Sequence, residues 1–189
     1  MSIWISRALA CLALAACVDT GGGATRPAAV SVLGGAMTVA VPAHYCIDPA
    51  SVHEDRAGAV AIAGRCGADR PVPPAAITVS LGGEGSAEVL KSGARVLTDW
   101  ARSPAGRAAL SRDGNARTVS IRQTLVSDGA FLIQLDDRRV GSYWRAAIPV
   151  QGRLVLIAVA PPEDGTLSVE DGRRIVEKAV TAMRRANGS

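Results

Sequence analysis

Four strand-like segments, residues 118–126, 130–136, 142–150 and 153–160, follow one another almost without interruption. Ser127-Asp128-Gly129 joins the first two and Gln151-Gly152 joins the last two. These are tight-turn sequences, and chain that reverses through so short a turn returns antiparallel. Upstream, residues 37–41 alternate and end at Pro42, residues 59–63 form a second apolar run, and residues 77–81 alternate up to Gly82-Gly83. Each predicts a strand.

Between these groups the period changes. Leu90, Ala94, Leu97 and Ala101 recur at three and four residues, flanked by Val89, Val96 and Trp100. This predicts an amphipathic helix over 86–102, capped by Ser86 and ended by Ser103-Pro104. Ser168 opens a final helix whose apolar face is Val169, Ile175, Val176, Ala179, Val180 and Met183. Arg184 and Arg185 stand at its carboxyl end, where the helix dipole favours cations. The predicted order is β-β-β-α-β-β-β-β-α. It implies an α+β fold, an antiparallel sheet of about six to seven strands with two main helices packed on one face.

The chain has 189 residues, of which 48% are hydrophobic and 20% charged, with a mean hydropathy of +0.20. Those values exclude wholesale disorder. Its start is distinctive. Arg7 is followed by an apolar run over residues 8–16, too short for a membrane span of about 20 residues. A basic start, a short apolar core and small residues at its end describe a secretory signal peptide. Leu14-Ala15-Ala16-Cys17 resembles the bacterial lipoprotein signal, the lipobox, at all four positions. That resemblance implies cleavage before Cys17 and lipidation of its thiol. Cys11 has no aliphatic residue three positions before it and leaves with the signal. The alternative is an ordinary secretory signal with Cys17 as a spare thiol.

The expected organisation is a signal peptide over 1–16, a lipidated flexible tether over 17–33 and a single α+β domain over 34–186. The tether is Gly-rich and shows no hydrophobic period. Val18 stands where retained enteric lipoproteins carry an acidic residue, so the enteric rule favours the outer membrane over the inner. The implied partners are a membrane, through the anchor, and an envelope protein or cell-wall component. The full chain carries a net charge of +4, too small an excess for a nucleic-acid partner. The element order together with the lipoprotein start is similar to the PsbP-like fold, seen also in DcrB-type lipoproteins. No sequence motif carries that likeness, and it implies binding or assembly rather than catalysis.

Cys46 and Cys66 are the only cysteines in the expected domain. In an oxidising envelope such a pair forms a disulfide, here a staple from the end of the first strand to the end of the second. The competing reading adds His44 and His53 to the two thiols, a tetrahedral metal set, with His44 and Cys46 on one strand face. Ser86 follows Gly83-Glu84-Gly85, but Glu84 and Glu88 stand where a nucleophile elbow needs glycines. No phosphate-binding loop, dinucleotide fingerprint or H-E-x-x-H motif is present, so no cofactor is expected. Asp136-Asp137 before Arg138-Arg139 is either a paired carboxylate site or a solvated strand end. Tyr143-Trp144-Arg145 is the one aromatic cluster and a candidate partner surface, since exposed aromatics beside Arg make binding hot spots. The plainer reading is packing against the helix that carries Trp100.

Overall fold

Asp128-Gly129 and Gln151-Gly152 turn as their sequences require. All four residues have positive φ, +47° and +67° in the first pair and +48° and +76° in the second. This is the primed turn that matches the twist of a hairpin. The computed structural model describes residues 26–189; the expected signal peptide, Cys11, Cys17 and the first part of the expected tether lie outside the described residues.

The first elements are β1 (Ala29–Val32), β2 (Met37–Ala40), β3 (Tyr45–Ile47), β4 (His53–Asp55), β5 (Gly58–Arg65) and β6 (Ala76–Leu81). A 3-10 segment, Ser86–Ser92, then leads into α1 (Gly93–Arg102) and α2 (Pro104–Leu110). Next come β7 (Val119–Ser127), β8 (Ala130–Asp137), β9 (Gly141–Val150), β10 (Arg153–Ala160) and α3 (Val169–Ala186). The class is α+β. One sheet has the order β3-β5-β6-β10-β9-β8-β7, with β4 beside β3 on the same edge of β5, and every pairing is antiparallel. It therefore holds eight strands, and β1 and β2 form a separate hairpin.

The first strand of that hairpin, β1, falls inside the segment expected to be tether, while β2 falls on the strand expected over residues 37–41. Leu33, Gly34 and Gly35 all take positive φ and reverse the chain, which buries Val32 with Met37 and Val39. The folded unit thus includes residues 29–33.

The helices occupy both faces of the sheet, not one. Leu132, Trp144, Ala146, Ile148, Val155 and Ile157 point to the inner face and pack with Ile175, Val176, Ala179 and Val180 of α3. Phe131, Ile133, Leu135 and Tyr143 point the other way and pack with Leu97 and Ala101 of α1 and Leu110 of α2. Successive residues of a strand face opposite sides, so a continuous apolar run such as 130–133 needs cover on both. The hairpin completes the inner layer. The Asn187 side chain donates to the Thr38 carbonyl at 2.8 Å and accepts from the Thr38 amide at 2.9 Å, fastening the end of α3 to β2.

The helix expected over 86–102 is broken. Gly93 has φ +85°, which divides the 3-10 segment from α1. Ser103 then serves two helices. Its amide donates to the carbonyls of Asp99 and Trp100 at the end of α1, and its hydroxyl accepts from the Gly106 amide at 3.0 Å at the start of α2. Pro104 follows as the first residue of α2, a position that needs no amide donor.

Candidate functional site

Cys46 and Cys66 form a disulfide, with Cα atoms 4.9 Å apart. It joins β3 to the residue just past the end of β5, and these strands are neighbours in the sheet. Its loop spans a sequence separation of 20, and closing such a loop stabilises by about 3 kcal/mol in the chain-entropy model. Cys46→Ser with Cys66→Ser is expected to lower the unfolding free energy by about that amount. Urea titration measures it, and an unchanged midpoint contradicts it.

The metal reading fails at its ligands. Both sulfurs are consumed in the bond, so neither has a thiolate to offer. His44 lies in a turn before β3 with φ +69°, not on a strand face with Cys46, and His53 is exposed in β4. Among the described residues, no group of three or more His, Cys, Asp or Glu is arranged to hold a metal ion.

The partner surface expected at Tyr143, Trp144 and Arg145 is not at the surface. Tyr143 is 4% exposed and Trp144 2%. They point to opposite faces, as adjacent strand residues must. The Trp144 indole nitrogen donates to the Val169 carbonyl at 2.8 Å, against α3. The Tyr143 hydroxyl donates to the Leu110 carbonyl at 3.3 Å, against α2. Arg145 is half-buried; its guanidinium donates to the Tyr143 hydroxyl at 3.0 Å and lies 5.4 Å from that ring's centroid. Burial pushes the Tyr143 hydroxyl above its ordinary range.

Asp136 and Asp137 also divide between faces. Asp137 is 2% exposed and accepts from the amides of Arg112 and Arg139 at 3.1 and 2.8 Å, so it organises two turns instead of ending in solvent. Asp136 accepts from the Ser142 hydroxyl and from Arg122. The Ser142 hydroxyl bond, then the Arg122 contacts, hold its carboxyl below the usual range. Asp113 is lowered to about 2, first by the Ser111 hydroxyl and then by the Asn115 amide. Tyr45 is pushed up to about 12, chiefly by burial and then by the charge of Asp171.

The pH dependence follows from these directions. Carboxyls held low in the fold bind fewer protons than in the unfolded chain, so their support is present above about pH 4 and is lost as pH falls toward 2. Tyr45 keeps its proton longer in the fold, so stability also falls as pH rises from about 10 to 12. Urea midpoints across pH should show both declines.

The feature that sequence reasoning missed is a bare half-face. On the outer side of the sheet, the 3-10 segment, α1 and α2 pack at the β7–β10 end. Val60 and Ile62 of β5 and Leu156 of β10 point to that same side and are 37%, 44% and 40% exposed. Thr78 and Ser80 of β6 lie between them in the register. A sheet face with apolar residues and no helix over it is an unusual surface for an isolated domain. One hint was available: the alternation in 59–63 puts alanines on the core side and larger Val60 and Ile62 on the other. Two cavities border the strip. One, about 290 Å³, is lined by His53, Asp55, Val60 and Ser80. The other, about 520 Å³, is lined by Arg26, Cys46, Ile62, Arg65, Cys66 and Pro162.

No helix among the described residues is long and apolar enough to cross a membrane. No family model, curated protein or solved structure matches the chain.

Proposed function

We propose that this chain is a non-enzymatic lipoprotein of the bacterial envelope, anchored through Cys17, whose domain faces the periplasm and acts by binding an envelope component. The carrying observation is the bare half-face of Val60, Ile62 and Leu156. Val60, Ile62 and Leu156 stand at neighbouring positions on strands that no helix covers on that side, so this strip is where a partner can gain from burying apolar surface. The lipobox supports the address, and Val18 after the cysteine favours the outer membrane.

A photo-crosslinking residue placed at Ile62 or Leu156 in living cells tests this reading. Adducts to envelope material, a protein or the membrane lipid itself, are expected from both positions. None is expected from Arg173, which is exposed on the outside of α3. Equal labelling from all three positions, or none from Ile62 and Leu156, would sink the assignment of the surface.

A further inference from the structure

The described chain begins on the bare side of the sheet. Arg26 lines the same cavity as Ile62, Cys46 and Cys66, and the Pro27 carbonyl accepts from the Ile47 amide at 2.7 Å along the edge strand β3. Only eight residues separate Cys17 from Arg26. At about 3.3–3.6 Å per residue, that length of chain reaches at most about 30 Å. If Cys17 carries the lipid, the bare face is held within that distance of the bilayer and its tether starts beside it.

From this placement we infer that the occupant of the bare face is the headgroup surface of the bilayer holding the anchor. The inference rests on the anchored-lipoprotein reading above. Three features fit a lipid surface. α1 packs on the same side of the sheet, toward β7, and presents Val96 and Trp100, 54% and 47% exposed. Trp is a residue of membrane interfaces, with an apolar ring and a polar N–H at one edge. α1 also carries exposed Arg95 and Arg102 against one exposed acid, Asp99, a basic excess that suits anionic headgroups. Finally, α1 stands proud of the open strands, so the surface is stepped. A headgroup layer is compliant, since interfacial helices sink about 5–10 Å into it. Such a layer can take in the helix while it covers the strands.

The contact need not be strong. A short tether keeps the face at a high effective concentration near the membrane, so a patch too small to hold a free protein there is enough for a tethered one. The same patch would be an association hazard on an untethered domain.

Trp100 gives the test a direct signal. In the chain from residue 17 onward it and Trp144 are the only tryptophans, and Trp144 is buried. With Cys46 and Cys66 paired, Cys17 is the one free thiol of that chain. It can be coupled to a maleimide lipid in vesicles of phosphatidylethanolamine and phosphatidylglycerol doped with brominated phosphatidylcholine. Chemical coupling makes the result independent of whether cells lipidate Cys17, which fractionation decides separately. Loss of Trp100 emission to the brominated lipid is expected. A chain with Trp100→Phe should show Trp144 emission unquenched. Ile62→Asp with Leu156→Asp, both at exposed positions, should restore Trp100 emission while the chain stays coupled and its circular dichroism is unchanged. Unquenched Trp100 in the coupled chain would overturn the inference, as would quenching that the two aspartates leave intact. So would a dimer of the uncoupled chain, seen by analytical ultracentrifugation and abolished by Ile62→Asp, because the face would then belong to a second copy.

Discussion

Trp144→Ala is expected to destabilise the fold by about 3–5 kcal/mol, the range for removing a large aromatic from a core. At about 2–4 °C per kcal/mol for a domain of this size, Tm falls by roughly 6–20 °C. The ring fills the space between β9 and α3 and is 2% exposed. Its nitrogen fixes the start of α3 through the Val169 carbonyl. Gly172 allows the approach, since a Cβ there would stand 3.3 Å from the indole Cδ1. Arg173 lies 5.9 Å from the ring centroid and adds a cation–π contact. Alanine leaves a cavity at that junction and ends all three interactions. Calorimetry measures the change. A loss below about 1 kcal/mol would mean that α3 collapses onto the site, and that the ring is not the keystone of the inner layer.

Gly106→Ala is expected to cost about 2–4 kcal/mol, although alanine is the better helix former by about 1 kcal/mol. A Cβ at position 106 would stand 1.9 Å from the Trp100 carbonyl oxygen and 2.7 Å from its carbon. Both are backbone atoms of α1, so no side chain can swing away to make room. α2 has to move off α1, which loosens the Ser103 cap and the Leu110 carbonyl that receives the Tyr143 hydroxyl. Urea titration separates the two effects by sign. If the variant is as stable as the parent or more so, helix propensity has won and the crossing of α1 over α2 is not tight.

The long strands and the last helix were legible because their signals are local. Alternation in 77–81, the Asp128-Gly129 and Gln151-Gly152 turns, and Ser168 before the apolar face of α3 each act within a few residues. Ser168 caps as its position suggests, accepting from the Asp171 amide at 3.0 Å. The short strands β1, β3 and β4 have three or four residues each, too few to show a period, and β3 exists through pairing with β5, beyond β4 in the chain. α2 was missed because Ser103-Pro104 reads equally as the end of one helix and the start of the next.

The placement of helices on both faces is written in residues 130–133, whose unbroken apolar run shows a strand covered twice. The disulfide was legible from the count of cysteines in the expected domain and from the envelope address the sequence suggests. The candidate surface was not, because an exposed strip is defined by what fails to cover it. The Tyr143-Trp144 pair drew the eye by composition, yet large aromatics contribute most when buried, and the fold buries one on each face.

Fractionation of cells producing the natural chain or Cys17→Ser tests the anchored reading most directly. The natural chain should partition with membranes and resist high-salt washing, its mass reduced by loss of residues 1–16 and raised by acyl chains. Cys17→Ser should leave the membrane fraction, because the bare face alone is too small to hold it there. A Cys17→Ser chain that stays membrane-bound and is processed at the same point would contradict the anchor.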